Sequence, residues 1–312
     1  MKYAMQTNAV LGTSVINLSK SVFRGVRGSA ADEKSVLDGS VHAIRIYTLG
    51  RFSIAIDGQA FHQKGKAQHR PLALLKALIA MGGRDITSNH LCECLWPDSE
   101  GDSGARNLAV TVHRLRALLR SKTAVVSDNG KLSLCPRICW VDAWEFERLA
   151  NSGLHTLDDV SAATDSVKQL RQALGMYSGC FLARESEDPW IFAPRIRLKA
   201  KFERLVIALV KHLEAGGRYT DAIDLCLQAL ERDPFNEMLY RRLIVIYLKN
   251  GELAQAARIY THCREALCKG LAISPSAETE RLYLEEIRGH GILKPVQPPA
   301  PAVQLVGIRA VS

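Results

Sequence analysis

The sequence predicts a mainly α-helical chain in two domains, a small α+β domain followed by an all-α one. Three observations carry this. Strand-like alternation is confined to residues 43–57 and 125–134. Three helix-period segments lie between those stretches, and from about Val167 onward the apolar spacing is helical. At 312 residues the chain is long enough for about two cores. With 47% hydrophobic and 23% charged residues it has the composition of an ordinary globular protein.

Residues 1–42 are rich in Ser, Gly and Ala, carry little apolar periodicity, and read as a flexible leader. Asn8, Thr13, Ser14 and Asn17 break any apolar run there, which argues against a signal peptide. Ala43–Asp57 alternates through Ile44, Ile46 and Thr48, then Phe52, Ile54 and Ile56, with Leu49-Gly50-Arg51 between: strand, turn, strand, closed by Asp57-Gly58. Pro71 suits the first turn of a helix running through Leu72, Leu74, Leu75, Leu78 and Ile79 to Met81-Gly82-Gly83. Thr87 or Ser88 caps a second helix carrying Leu91, Cys94 and Leu95, which Trp96-Pro97 ends. The polar loop Asp98–Gly104 leads to a third helix over Gly104–Leu119. Val125–Ser127 and Lys131–Leu134 flank Asp128-Asn129-Gly130, a hairpin signal. Strands, three helices and a closing hairpin, in that order, make a winged helix-turn-helix over 43–145.

The second domain, 146–290, contains an internal repeat. Gly217-Arg218-Tyr219-Thr220-Asp221-Ala222 recurs as Gly251-Glu252-Leu253-Ala254-Gln255-Ala256, 34 residues on, and the same offset pairs Leu209 with Leu243 and Leu213 with Tyr247. A 34-residue helix–turn–helix period is tetratricopeptide-like, with Val167–Tyr177 and Trp190–Leu213 as further stacking helices. Residues 291–312, with Lys294-Pro-Val-Gln-Pro-Pro-Ala-Pro301, read as a disordered tail.

The formal charge of +9 favours a polyanionic partner. The stretch Gly104–Lys131 alone holds six Lys or Arg against one Asp, so about half the surplus sits in one segment. On a helical wheel Leu108, Val112, Leu115 and Leu119 form the buried stripe of the third helix. Arg106, Val110 and His113 point away from it; Asn107, Thr111 and Arg114 lie along one flank, Arg116 and Arg120 along the other. Arg suits guanine edges, Asn adenine, and Val or Thr methyls the thymine methyl, while later arginines suit phosphates. An isolated basic face is usually just solvated. Third place in a helix-turn-helix, followed by a hairpin tipped with Lys131, favours DNA reading instead. Lys64, Lys66 and Arg70 are candidates for a backbone clamp.

Other chemistries find no support. The eight cysteines (92, 94, 135, 139, 180, 226, 263, 268) lack a paired metal-ligand spacing and suit a structural role. The histidines show no metal pattern, and no Gly-x4-Gly-Lys-Ser/Thr or catalytic Ser/His/Asp set stands out. No cofactor, metal or enzymatic activity is expected, no run is long enough to span a membrane, and a cytoplasmic location fits.

Leu49-Gly50-Arg51-Phe52, Arg70-x-Leu72-x-Leu74-Leu75, Leu95-Trp96-Pro97 and Ala105-Arg106-Asn107-Leu108…Val112-His113-Arg114-Leu115-Arg116 resemble the OmpR-type winged helix of the Streptomyces antibiotic regulatory protein family. Asp188-Pro189-Trp190, Arg197-Leu198, Gly217-Arg218-Tyr219-x2-Ala222-Ile223 and Pro275-Ser276 resemble that family's bacterial transcriptional activator domain. The resemblance implies binding of double-stranded promoter DNA at direct repeats and recruitment of RNA polymerase through its sigma factor. It matches Arg106, Asn107, Thr111 and Arg114 to base-reading places and Arg116 to a phosphate-contact place. The helical domain is also a candidate surface for homo-oligomer formation. The competing reading is a tetratricopeptide adaptor whose winged helix binds protein rather than DNA.

Overall fold

The computed structural model describes residues 42–62, 68–99, 102–157, 162–185 and 188–288. Almost all of the expected leader, the tail, and Lys64 and Lys66 lie outside the described residues. By internal contacts the chain forms two compact units, one ending at Leu239 and the other beginning at Tyr240.

The first unit opens with β1 (Ile44–Tyr47) and β2 (Ser53–Ile56), antiparallel with Ile46 opposite Ile54. Their alternation works as expected: Ile44, Ile46, Ile54 and Ile56 are buried, while Tyr47 and Ser53 face out. A short β3 (Gln59–Ala60) extends one edge. The other edge is β7 (Cys139–Val141), parallel to β1 with Ile46 opposite Val141, so the sheet order is β3-β2-β1-β7.

Between these strands lies the helix-turn-helix. Helix α1 (His69–Ala80) begins two residues before Pro71, which still falls in the first turn, where a missing N–H costs no intrahelical bond. After β4 (Ile86–Thr87), Thr87 caps α2 (Ser88–Leu95), its hydroxyl accepting from the His90 N–H at 3.4 Å. Helix α3 spans Asp102–Leu118. The hairpin of β5 (Val125–Asp128) and β6 (Lys131–Leu134) turns through Asn129 and Gly130, with φ of 46° and 72°, the two left-handed positions of a type I′ turn. Strand β4 pairs with the free side of β6, giving the order β4-β6-β5.

Four elements lie outside the sequence expectation. Strands β3, β4 and β7 are too short to display alternation. Helix α4 (Asp142–Thr156) precedes Val167, from which helical spacing was read; Ala143, Phe146, Ala150 and Gly153 keep that spacing, but Asn151-Ser152-Gly153 disguises it. Hydrogen bonds tie the start of α4 to the first sheet. Asp142, 3% exposed, accepts the backbone N–H of Thr48 (2.8 Å), Leu49 (2.9 Å) and Ala143 (2.7 Å) and the Thr48 hydroxyl (2.6 Å). Burial pushes its pKa above the ordinary carboxylate value, and these four donors oppose that rise. The expected domain border at 145/146 is crossed by backbone hydrogen bonds: the Leu182 N–H donates to the Thr48 carbonyl (2.8 Å) and the Gly50 N–H to that of Cys180 (3.0 Å).

Helices α5 (Ala163–Met176), α6 (Pro189–Ala215) and α7 (Tyr219–Arg232) complete the first unit, α5 and α6 covering the helices expected at 167–177 and 190–213. Their core holds a row of rings: Tyr177 stacks on Phe202 with centroids 4.1 Å apart, and Phe146 lies 5.5 Å from Tyr177. Helix α8 (Glu237–Lys249) runs into the second unit, which continues with α9 (Leu253–Leu271), α10 (Ala277–Leu282) and a π-helical turn over Tyr283–Arg288. There Tyr260 stacks on Tyr283 at 3.7 Å, and its hydroxyl donates to Glu280 Oε1 at 2.8 Å.

The 34-residue repeat has the same local geometry in both copies. Gly217 and Gly251 take φ of 70° and 77°, which only glycine adopts without strain. The next N–H reaches back five residues each time, Arg218 to Leu213 (2.9 Å) and Glu252 to Tyr247 (2.8 Å). Ala222 and Ala256, which follow, are fully buried. The chain is thus mainly α, a winged helix-turn-helix followed by tetratricopeptide-like helical hairpins.

Candidate nucleic-acid interface

Helix α3 is oriented by its apolar stripe. Leu108, Val112, Leu115 and Leu119 are all at most 6% exposed. They face a core to which α1 adds Leu74, Leu75 and Leu78 and α2 adds Leu91. Burying each such side chain is worth about 1.5–3 kcal/mol, far more than any one surface polar group supplies, so this stripe sets the helix rotation. The opposite face is left to solvent: Arg106, Asn107, Val110, His113 and Arg114 are exposed, Val110 to 49%. An exposed valine in a ring of Arg, Asn and His combines methyl groups with donors that suit base edges.

Thr111 departs from the expectation. It is 6% exposed, and its hydroxyl donates to the Asn107 carbonyl at 2.7 Å. Position 111, three after Leu108 and four before Leu115, lies at the edge of the apolar stripe, and the fold covers it together with that stripe. It cannot present its methyl to a base from there.

Arg116 is half-buried, and its Nε donates to the Val125 carbonyl at 2.9 Å, which fastens the end of α3 to the first hairpin strand. That position had been matched to a phosphate contact; here at least one of its donors is engaged within the protein. Arg70 is exposed, but its Nη1 donates to the Leu95 carbonyl at 2.9 Å, with the guanidinium 6.0 Å from the Trp96 ring. That bond ties α1 to the end of α2.

Lys131 is exposed at the start of β6, opposite Asp128 across the hairpin. The turn beside it is tied down, since the Ser88 N–H donates to the Gly130 carbonyl at 2.8 Å. Nothing in the sequence pattern signals that tether. Past α3, Arg120 takes φ of 53° as the helix ends, and it and Lys122 are exposed. Lys122 was visible only in the charge count.

All eight cysteines are free thiols, and burial pushes the Cys139 thiol up to about 12. Among the described residues no group of three or more His, Cys, Asp or Glu is placed to hold a metal ion, and no helix is long and apolar enough to cross a membrane.

Residues 141–288 match the family model of the bacterial transcriptional activator domain. The chain is 25% identical over 270 residues to Regulatory protein AfsR of Streptomyces griseus, a match covering 85% of this chain and 27% of that protein. Regulatory protein AfsR of Streptomyces coelicolor is 25% identical over 243 residues, covering 77% of this chain and 24% of its own length. The chain therefore spans about a quarter of these regulators. Among solved structures it resembles Mycobacterium tuberculosis EmbR in complex with a low-affinity phosphopeptide, with a TM-score of 0.55 and 20% identity over 79% of this chain and 65% of that one, a likeness of fold.

Proposed function

Since the chain carries a bacterial transcriptional activator domain and is related to the AfsR regulators, we propose that it is a sequence-specific DNA-binding activator of transcription whose reading head is α3. The observation that carries this is the exposed row Arg106, Asn107, Val110, His113 and Arg114 above a buried leucine stripe. In the major groove, Arg106 and Arg114 take guanine edges, Asn107 an adenine edge, and Val110 a thymine methyl. Lys131, with Arg120 and Lys122, meets phosphates and sets register without reading sequence. By the family resemblance the sites are promoter direct repeats, the second partner is RNA polymerase through its sigma factor, and the helical hairpins mediate contact with it or with a second copy.

The test is footprinting of the purified chain on genomic fragments, followed by Arg114→Ala. A good bidentate arginine–guanine pair is worth about 1–3 kcal/mol of discrimination, so the variant loses about 5- to 150-fold at the cognate site and little on random duplex. An unchanged footprint in that variant sinks the assignment of α3. No retention on duplex DNA at any salt concentration favours the adaptor reading.

A further inference from the structure

The first unit contains a cavity of about 520 Å³ bordered by α4, α6 and the start of α8. That volume falls in the range of small-molecule sites, roughly 300–1,000 Å³. Its floor is apolar: Leu154 of α4, Ile207 and Ala208 of α6, and Met238, all half-buried. It exists because α6 presents only Cβ atoms at Ala208 and Ala215, seven residues apart on one face. Larger side chains there would fill it.

Among the described residues the rim carries only basic groups: Arg204, Lys211 and His212 border the cavity, and no described carboxylate lines it. The side chains of Arg204 and Lys211 are exposed and have no ion-pair partner among the described residues. By contrast, Arg197 and Lys201, earlier on the same helix, both bind Glu147. Two unspent cations over a hydrophobic floor select against cationic ligands. They also favour an anion over a neutral apolar molecule, since a carboxylate held by arginine or lysine gains a charge-assisted bond.

We infer that this cavity is a binding site for a small amphipathic anion, an acyl or aryl chain ending in a carboxylate or sulfonate. The apolar body lies on Leu154, Ile207, Ala208 and Met238, and the acid group meets Arg204 and Lys211. The site uses no residue of α3 or the wing, so its failure and that of the DNA-binding reading are separately visible.

The experiment uses the full chain with anilinonaphthalene sulfonate as fluorescent probe. Saturable binding is expected, displaced by decanoate at least tenfold more effectively than by decan-1-ol. The double variant Arg204→Glu, Lys211→Glu, whose positions are exposed, weakens probe and decanoate at least tenfold. Ala208→Trp fills the floor and removes binding; should it fail to fold, the charge variant alone decides. Equal displacement by decan-1-ol, or undiminished binding in the charge variant, overturns the inference. The Arg114→Ala footprint, measured in parallel, is unaffected by either result.

Discussion

Asp142→Asn isolates the device that joins the first sheet to the helices after it. The carboxylate accepts three backbone N–H groups and one hydroxyl, and the two side chains differ only in one oxygen replaced by NH2. Two orientations of the amide are open. With its oxygen facing Thr48 and Ala143, the NH2 confronts the Leu49 N–H, which loses its acceptor. With its oxygen facing Thr48 and Leu49, the NH2 confronts the Ala143 N–H, while the Thr48 hydroxyl turns round to accept from it. The second orientation is better, and it still orphans one buried N–H at about 1–3 kcal/mol. The surviving bonds also lose their charge assistance, which brings the expected destabilisation to about 2–5 kcal/mol. Urea unfolding of the full chain, followed by tryptophan fluorescence, measures it as a lower midpoint at unchanged slope. A change below about 0.5 kcal/mol, the range of a neutral surface substitution, would refute the claim that Asp142 is a structural acceptor.

Thr111→Val should leave stability within about 0.5 kcal/mol and the footprint unchanged, because the buried hydroxyl only bonds back to the Asn107 carbonyl; an altered footprint restores Thr111 to the reading face. Gly153→Ala should destabilise by about 1–3 kcal/mol, as seen by thermal melting. A Cβ there stands 2.7 Å from the Leu170 side chain and 3.0 Å from the Ser166 carbonyl, where α4 and α5 meet, and this outweighs alanine's helix preference of about 1 kcal/mol. Burial lowers the pKa of half-buried His262 below 6.5, so folding excludes its proton and the stability it contributes is lost as pH falls below that value. His262→Gln should therefore flatten the acid side of the stability profile, which urea midpoints across pH 5–7 measure.

What the sequence displayed was local. The Ile44–Ile56 alternation, the Asn129-Gly130 turn, the Thr87 cap and the Gly217/Gly251 pair each rest on neighbours within a few residues, and each has the expected geometry. What it concealed depends on distant partners. Strand β7 exists because β1, about 95 residues earlier, offers a free edge, and three residues carry no period. The tie that Arg70 makes to α2 was hidden because its acceptor, the Leu95 carbonyl, is 25 residues away. At α3 the buried and exposed faces were legible down to single leucines, but the border between them was not. Thr111 lies at that border, where a wheel drawn at 100° per residue leaves either side open, and in the fold it is buried.

The charge count over Gly104–Lys131 has the same weakness, and salt dependence resolves it. Of the six cations there, Arg106, Arg114, Arg120, Lys122 and Lys131 are exposed, whereas Arg116 commits its Nε to Val125 and lies half-buried. Each phosphate contact steepens the logarithmic salt dependence of binding by about 0.9. Lys131→Ala should thus shorten the slope by about one contact and weaken cognate and random duplex alike. Arg116→Ala should instead leave the slope unchanged and lower stability by about 1 kcal/mol, the worth of one exposed-edge hydrogen bond, because it unfastens α3 from β5. Affinity measured between 50 and 300 mM salt separates the two roles. A slope reduced in the Arg116 variant as much as in the Lys131 one returns Arg116 to the phosphate backbone, and makes its bond to Val125 a resting arrangement that DNA displaces.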